Sequence, residues 1–275
     1  MLKRTISTII LWSLLLLCLR YFRADGAVWL ITAMSVLTLY ELYSMLGGMA
    51  LAPFKWMGLA LGAAITLAPR YFEPSVSAAE LLALGVIVFS VRILGERKPE
   101  NRVETLCWSL FGLVYVPFML QFLVRIALIP KTGLWLAFWL IAVTKLCDTG
   151  ALLTGLVAGR HKMAPNISPK KTWEGLAGGV LTSMAAGAAL AWGCSAFLPA
   201  NFTPLTGAVV ALPVALLGAV SDLVESIVKR RADIKDTGNT IPGIGGVFDM
   251  SDSLILTAPV GWMVFHLLQT SGSLR

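Results

Sequence analysis

Residues 134–158 read LWLAFWLIAVTKLCDTGALLTGLVA. An α-helix needs about 20 mostly apolar residues to cross the hydrocarbon core of a bilayer, and this run is long enough. Apolar and polar positions do not alternate in it, so it does not predict a strand of a membrane barrel. Its only charged residues are Lys145 and Asp148. The run therefore predicts a membrane-spanning helix with a polar cluster near its middle.

The composition of the whole chain agrees with a membrane protein. Of its 275 residues, 57% are hydrophobic and 13% are charged, about half of the roughly 25% charged share in soluble domains. Too few polar side chains are present to cover a soluble surface, which excludes a secreted disulfide scaffold, a disordered chain and a typical cytosolic enzyme. The four cysteines lack CxxC spacing, so we expect buried small side chains and no zinc site. We expect a single integral membrane domain over residues 1–275.

Nine apolar segments predict an all-α, polytopic transmembrane helical bundle of about nine spans. The first and third are short, so eight spans are the alternative. No small-residue cleavage site follows the first segment, and we therefore expect it to be an uncleaved span. The segments are Thr5–Leu19, Ala27–Leu46, Phe54–Leu67, Ala78–Leu94, Val103–Leu128, Leu134–Ala158, Leu176–Leu198, Leu205–Val228 and Ser253–Leu268.

The distribution of Lys and Arg predicts the orientation of this bundle. With nine spans, fourteen of these residues fall on the side of the amino terminus and five on the other side. Because cytoplasmic loops collect Lys and Arg, we expect the amino terminus and the two long late loops to be cytoplasmic. The net charge of +7 is then mostly a consequence of topology.

The amino-terminal part, residues 1–130, is expected to consist of structural spans. Its acids Glu41, Glu80 and Glu104 lie at or near span ends, where interfacial, solvated or paired side chains are expected. The first polar cluster that indicates chemistry is Lys145 with Asp148, which would share one face of a helix. They form either an ion pair that stabilises the bundle or a polar cavity in which Asp148 meets a metal or a substrate.

The loop of residues 159–175 reads GRHKMAPNISPKKTWEG. Ser168 and Pro169 predict a helix N-cap and a first-turn proline, which would place Lys170 and Lys171 in the first helical turn. Cations there oppose the helix dipole, so the pattern favours a phosphate docking at that helix end. A basic cytoplasmic loop facing anionic lipid head groups is the alternative.

Residues 221–253 read SDLVESIVKRRADIKDTGNTIPGIGGVFDMSDS, with six acids and four bases in 33 residues. If the preceding span stays helical, the spacing places one polar stripe along it, formed by Asp222, Glu225, Ser226 and Lys229. The glycines that follow predict a loop whose backbone approaches a ligand closely. Asp249 and Asp252 then lie three residues apart, so a helix there directs both carboxylates the same way.

This combination of carboxylates and lysines indicates a metal site. Carboxylates that converge from separate segments hold a hard divalent cation, with Mg²⁺ expected, while nearby lysines neutralise phosphates. A solvated loop with salt bridges is the alternative, although Asp222 and Asp252 lie close to the hydrocarbon. Residues 131–275 are therefore expected to form the catalytic half.

Two stretches of the sequence resemble the phosphatidate cytidylyltransferase (CDP-diacylglycerol synthase) family. Residues 168–175, SPKKTWEG, are similar to the serine–proline–lysine–lysine–threonine stretch of that family. Residues 226–252 are similar to its long signature: a Ser, then Lys-Arg, Lys-Asp, an Ile-Pro-Gly-x-Gly-Gly loop and two aspartates three apart. The resemblance covers the chain from about Asp148 onward, and before that residue it rests on hydropathy alone.

The resemblance implies a nucleotidyltransferase of phospholipid biosynthesis. The phosphate of phosphatidate attacks the α-phosphorus of CTP, giving CDP-diacylglycerol and pyrophosphate. It also implies a multi-pass protein of the cell (cytoplasmic/inner) membrane whose active site faces the cytoplasm. The expected partners are CTP and membrane phosphatidate, without nucleic acid, and a homodimer is left open.

The resemblance also assigns site residues. It implies Mg²⁺ on Asp222 and Asp249, with Asp148 and Asp252 close by and a second ion left open. Catalysis is assigned to Asp222, Asp249, Lys229 and Lys171. Substrate binding is assigned to two hydroxyls, to the basic positions and to the loop glycines: Ser168, Ser226, Lys170, Lys171, Lys229, Lys235, Gly243, Gly245 and Gly246.

Two positions depart from the family pattern and leave alternatives open. Ile244 stands where the family usually has His, and Met250 stands where it usually has Arg. One alternative is therefore a CTP-dependent enzyme acting on another lipid phosphate, such as an isoprenoid phosphate. Another is an anion transporter with Lys145 and Asp148 in its pathway, which the lack of a visible internal repeat disfavours.

Overall fold

The computed structural model describes residues 2–49, 51, 53–95, 101–234, 237–238 and 245–272, with side chains described from residue 21 to residue 270. These residues confirm the all-α prediction. The helices are α1 (Leu2–Gly48), α2 (Lys55–Tyr71), α3 (Ala78–Leu94), α4 (Arg102–Leu113), a π-helical turn (Val114–Phe118), α5 (Met119–Ala127), α6 (Gly133–Ala158), α7 (Trp173–Gly193), α8 (Pro204–Arg231) and α9 (Val247–Gly272).

Six helical segments of the described residues are long and apolar enough to cross a membrane. Helices α2 and α3 have 17 residues each and fall below that length. At 1.5 Å per residue they are about 26 Å long, slightly less than the thickness of a hydrocarbon core. The six segments are Tyr21–Gly48, Arg102–Ala127, Gly133–Ala158, Trp173–Gly193, Pro204–Arg231 and Val247–Thr270.

The chain divides into two compact units. The first comprises Met1–Val124 and Arg231–Ser251, and the second comprises Arg125–Arg230 and Asp252–Arg275. The boundary therefore passes through α9. The prediction of a single domain stays a prediction.

In the first unit, helix α1 contains a break and the core is built around a tyrosine. Arg23 has φ 50° and ψ −121°, which divides α1 into two helices. Tyr43, farther along α1, is buried and donates a hydrogen bond to the carbonyl of Ser109 at 2.6 Å. Its ring occupies the space that a Cβ atom at Gly58 or Gly112 would need. The two glycines therefore allow α2 and α4 to pack directly on this ring.

In the second unit, the core is built around a tryptophan. Trp139 of α6 is buried and meets Phe202 and Phe265 edge to face, with ring centroids 5.1 and 5.9 Å away. Its indole N–H donates to the carbonyl of Gly187 at 3.0 Å, which satisfies the polar atom of this large side chain. This arrangement packs helices α6, α7 and α9 together.

The loop 159–175 does not have the predicted structure. It forms an antiparallel hairpin of β1 (Lys162–Ala164) and β2 (Ser168–Thr172), in place of the helix start predicted at Ser168. Helix α7 begins at Trp173, and its N-cap is Thr172, whose hydroxyl accepts from the N–H of Gly175 at 3.1 Å. The prediction that Ser168 caps a helix with Lys170 and Lys171 in its first turn is therefore wrong. Threonine is also a good N-cap, and hairpin pairing extends the residues before it.

Candidate active site

Helix α8 carries the polar stripe that the spacing predicts. Asp222 and Lys229 are half-buried, and Glu225 is 1% exposed. Lys229 Nζ lies 2.7 Å from Glu225 Oε2, one helical turn away. Ser226 lies next to Glu225 and is half-buried. Because α8 stays helical to Arg231, its carboxylates are held at fixed heights along one helix.

Three carboxylates of the second unit come together at this stripe. Asp222 and Glu225 of α8 and Asp252 of α9 each offer one oxygen atom, and these atoms lie within 4.8 Å of one another. Asp252 is 7% exposed. The hydroxyl of Ser221 donates to the backbone carbonyl of Asp252, which ties α8 to α9 at the cluster. We call Asp222, Glu225 and Asp252 the acidic cluster.

The acidic cluster fits a hard divalent cation. All three donors are carboxylate oxygens, which Mg²⁺ and Ca²⁺ prefer. Mg²⁺ at about 2.1 Å from each ligand needs ligand oxygens about 3–4 Å apart, which the spacing in the cluster allows. Carboxylates packed this closely and largely buried repel one another unless cations lie beside them. Of the three, Glu225 was placed on the stripe from the sequence but not assigned to the metal.

The hairpin adds a lysine to the cluster. Lys171 of β2 is half-buried, and its Nζ lies 2.6 Å from Asp222 Oδ2. Lys170, its neighbour, is exposed, as expected for adjacent residues on opposite faces of a strand. Ser168 at the start of β2 is half-buried. The structure therefore brings Lys171 to the acidic cluster and leaves Lys170 accessible from solvent.

A lysine inside the membrane-spanning helix α6 forms a second group of contacts. Lys145 Nζ lies 3.5 Å from Asp148 Oδ2, so the two side chains share one face of α6, as their spacing predicts. The same ammonium donates to Ser253 Oγ at 2.7 Å and lies 3.7 Å from Asp252 Oδ1. Ser253 Oγ donates in turn to Asp148 Oδ2 at 3.1 Å. Lys145 thus links Asp148 to the acidic cluster through Asp252.

The hairpin is joined to α7 by a carboxylate. Glu174 accepts hydrogen bonds from the backbone N–H groups of Arg160 and His161 at 3.1 and 3.2 Å. His161 Nδ1 lies 2.5 Å from its other oxygen. Because the carboxylate also lies in the first turn of α7, the helix dipole favours its charge. These contacts tie the residues before β1 to the start of α7, and β1 pairs with the strand that carries Lys171.

In the first unit, an acid that sequence reasoning did not assign to any site caps helix α9. Glu41 of α1 is 4% exposed. Its carboxylate accepts from the backbone N–H groups of Val247 and Phe248 at 3.0 and 2.8 Å, and from the hydroxyl of Thr237 at 3.2 Å. The first N–H groups of a helix lack acceptors within the helix. Glu41 provides these acceptors, although it lies about 200 residues away along the chain. Its position near a span end carried no signal of this role.

Asp249 and the loop glycines lie at the same helix end. Asp249 Oδ2 accepts from the N–H of Gly246 at 3.1 Å and from the hydroxyl of Thr237 at 3.1 Å. A Cβ at Gly246 would lie 2.6 Å from a Glu41 oxygen, and Gly245 has φ +124°. Gly246 therefore leaves room for Glu41, and Gly245 has a backbone conformation that favours glycine. The predicted approach of this loop to a ligand stays a prediction, and Lys235 and Gly243 lie outside the described residues. The assignment of Asp249 to a metal stays a prediction.

Replacing Glu41 by Gln should destabilise this helix end. The amide keeps one acceptor oxygen but loses the charge and faces N–H donors with its own NH₂, so we expect a loss of about 2 kcal/mol. The unfolding temperature of the purified protein in detergent measures this loss. Glu104→Gln, at an exposed position, serves as the control, and equal unfolding temperatures for the two variants would refute the capping role.

The chain is similar to several proteins named phosphatidate cytidylyltransferase. The one from Mycobacterium bovis is 35% identical over 174 residues, which cover 63% of this chain and 55% of the relative. The one from Rickettsia bellii is 32% identical over 203 residues, covering 71% of this chain and 85% of the relative. The one from Staphylococcus aureus is 32% identical over 204 residues, covering 73% and 75%.

The chain spans about half the length of the mycobacterial relative and most of the length of the other two. A sequence model built for a whole protein family matches residues 2–268, nearly the full length of the chain. This match includes the acidic cluster, the hairpin and the helix end at Glu41. The chain belongs to the cytidylyltransferase family.

Proposed function

We propose that this chain transfers the cytidylyl group of CTP to phosphatidate, forming CDP-diacylglycerol and pyrophosphate in the membrane. The acidic cluster, with Lys171 and Lys229 at 2.6 and 2.7 Å from two of its carboxylates, carries this proposal. A cation held by carboxylates and flanked by ammonium groups suits a reaction between two anions, a nucleoside triphosphate and a phosphate monoester. The name shared by the three relatives supports phosphatidate as the acceptor.

The reaction asks the protein to position groups and neutralise charge. A phosphate oxygen of phosphatidate forms a bond to the α-phosphorus of CTP, and the bond from that phosphorus to the bridging oxygen breaks. Pyrophosphate leaves with the electron pair, so no redox partner is required. Lys171 and Lys229 bind phosphate oxygens, while Asp222, Glu225 and Asp252 hold Mg²⁺. When bound, Mg²⁺ neutralises charge on the phosphates that react.

The remaining assignments follow the resemblance. Lys170, Ser168 and Ser226 are proposed to bind phosphate or lipid head group, since all three are exposed or half-buried. Asp148 is proposed to lie near the metal, because Lys145 contacts both Asp148 and Asp252. The assignment of Asp249 to the metal rests on the resemblance alone.

We also propose that the chain crosses the membrane nine times and that its amino terminus is cytoplasmic. The first part of α1 and the 17-residue helices α2 and α3 would be the additional spans, beyond the six long segments. The excess of Lys and Arg on one side supports this orientation. In a cell membrane, the hairpin would then face the cytoplasm, the compartment that contains CTP.

The choice of acceptor tests the proposal against its nearest alternative. Purified protein is incubated with Mg²⁺, CTP labelled at the α-phosphate, and either phosphatidate or an isoprenoid phosphate. We expect label in CDP-diacylglycerol and none in an isoprenoid product. Labelled isoprenoid product without CDP-diacylglycerol would move the acceptor to another lipid phosphate. Anion uptake into vesicles in the absence of CTP, without any lipid product, would favour the transporter.

A further inference from the structure

Lys145 is a cation that the chain itself supplies at the edge of the acidic cluster. Its Nζ donates to Ser253 Oγ at 2.7 Å and lies 3.5 Å from Asp148 and 3.7 Å from Asp252. Ser253 is fully buried, and its backbone N–H also donates to Asp252 Oδ1 at 2.6 Å. The ammonium is therefore anchored by a buried hydroxyl on the helix that carries Asp252.

The surrounding charges are nearly balanced before any ion binds. Four carboxylates of the second unit pair with three ammonium groups: Lys145 with Asp148 and Asp252, Lys171 with Asp222, and Lys229 with Glu225. Among the described residues in these pairs, the negative charges exceed the positive ones by one. One divalent cation already makes the group positive, and a second would add two more charges at short distance. Repulsion between cations a few ångströms apart in a partly buried site is large.

The charge of Lys145 costs free energy at this position, and its contacts must offset that cost. The residue lies in the middle of a membrane-spanning helix, where a charged side chain is energetically unfavourable. A pair with Asp148 alone would offset that cost. The contacts with Ser253 and Asp252 go further, because they direct the ammonium toward one of the three oxygen donors of the acidic cluster.

We propose that Lys145 is a positioning residue that takes the place of a second cation, so that the site binds a single divalent ion. Lys145 attracts the Asp252 carboxylate electrostatically and is hydrogen-bonded to Ser253, the next residue on α9. The other oxygens of the acidic cluster remain available to the divalent ion. The same ammonium repels a second ion from Asp148. This inference rests on the proposed metal site and adds the number of ions and the residue that sets it.

The test counts bound ions directly. The full-length protein, in detergent and without nucleotide, is titrated with Mn²⁺ as the probe, and free Mn²⁺ is measured by electron paramagnetic resonance. We expect one ion per wild-type chain. In Lys145→Met, which keeps most of the length of the side chain and removes its charge, we expect a second bound ion or about tenfold tighter binding of the first. Lys145→Arg should keep the count at one.

Each outcome bears on one claim. Two ions on the wild-type chain would overturn the role of Lys145 without any variant, so the test stands even if Lys145→Met fails to fold. One ion of unchanged affinity in a folded Lys145→Met protein would also overturn it and leave the metal site intact. No bound ion on the wild-type chain would instead overturn the proposed metal site. Lys131→Met, at an exposed turn of the same unit, should match the wild-type chain.

Discussion

Replacing Asp222 by Asn is expected to abolish formation of CDP-diacylglycerol, with turnover falling about 10³-fold or more while the protein still folds. Asp222 supplies one of the three oxygens of the acidic cluster and is the carboxylate that Lys171 contacts at 2.6 Å. Asparagine has almost the same shape but no charge. The substitution therefore removes a metal ligand with little change in packing, and half-burial of the side chain limits its cost in stability.

The measurement combines turnover with the unfolding temperature and with Mn²⁺ binding. Asp233→Asn is the matched control, because Asp233 is exposed and has φ 54°, a conformation that asparagine adopts readily. The control should keep wild-type turnover and affinity for Mn²⁺. If Asp222→Asn retained turnover, Asp222 would not belong to the metal site.

Replacing Lys171 by Met is expected to lower kcat/KM for CTP about 10²-fold or more. The hairpin places this ammonium against Asp222, within reach of a phosphate bound to a cation in the acidic cluster. Methionine keeps the apolar stem and removes the charge that would neutralise a phosphate oxygen. Arginine keeps the charge, so Lys171→Arg should recover part of the lost rate.

Steady-state kinetics over a range of CTP concentrations separates the possible roles of Lys171. A loss in kcat together with recovery by arginine indicates an ammonium that acts on the reacting phosphates. Lys131→Met removes a charge from an exposed turn and should leave both constants unchanged. Equal constants for Lys171→Met and this control would remove Lys171 from the site.

Long apolar runs made the helices predictable from sequence. The predicted segment Ala78–Leu94 coincides with α3, and Leu134–Ala158 differs from α6 by one residue. A helix in a bilayer must satisfy its backbone internally, so twenty apolar residues leave few other structures. Once α8 is predicted as a helix, the spacing of three and four residues predicts the stripe from Asp222 to Lys229.

The hairpin and the long-range contacts were not predictable in this way. Ser168 and Thr172 both have the chemistry of an N-cap, and only the pairing of β2 with β1 decides that Thr172 caps α7. The contacts of Glu41 with Val247 and of Lys145 with Ser253 join residues more than 100 positions apart. Local spacing carries no information about such partners, because they are set by how helices pack.

Product analysis tests the central claim most directly. Purified protein in detergent, supplied with phosphatidate, CTP labelled at the α-phosphate and Mg²⁺, should form labelled CDP-diacylglycerol and pyrophosphate in equal amounts. Chelation of the divalent ion should stop both products, and added Mg²⁺ should restore them. Folded protein that forms neither product under these conditions, or forms them equally well with all divalent ions chelated, would contradict the proposed reaction at a metal held by Asp222, Glu225 and Asp252.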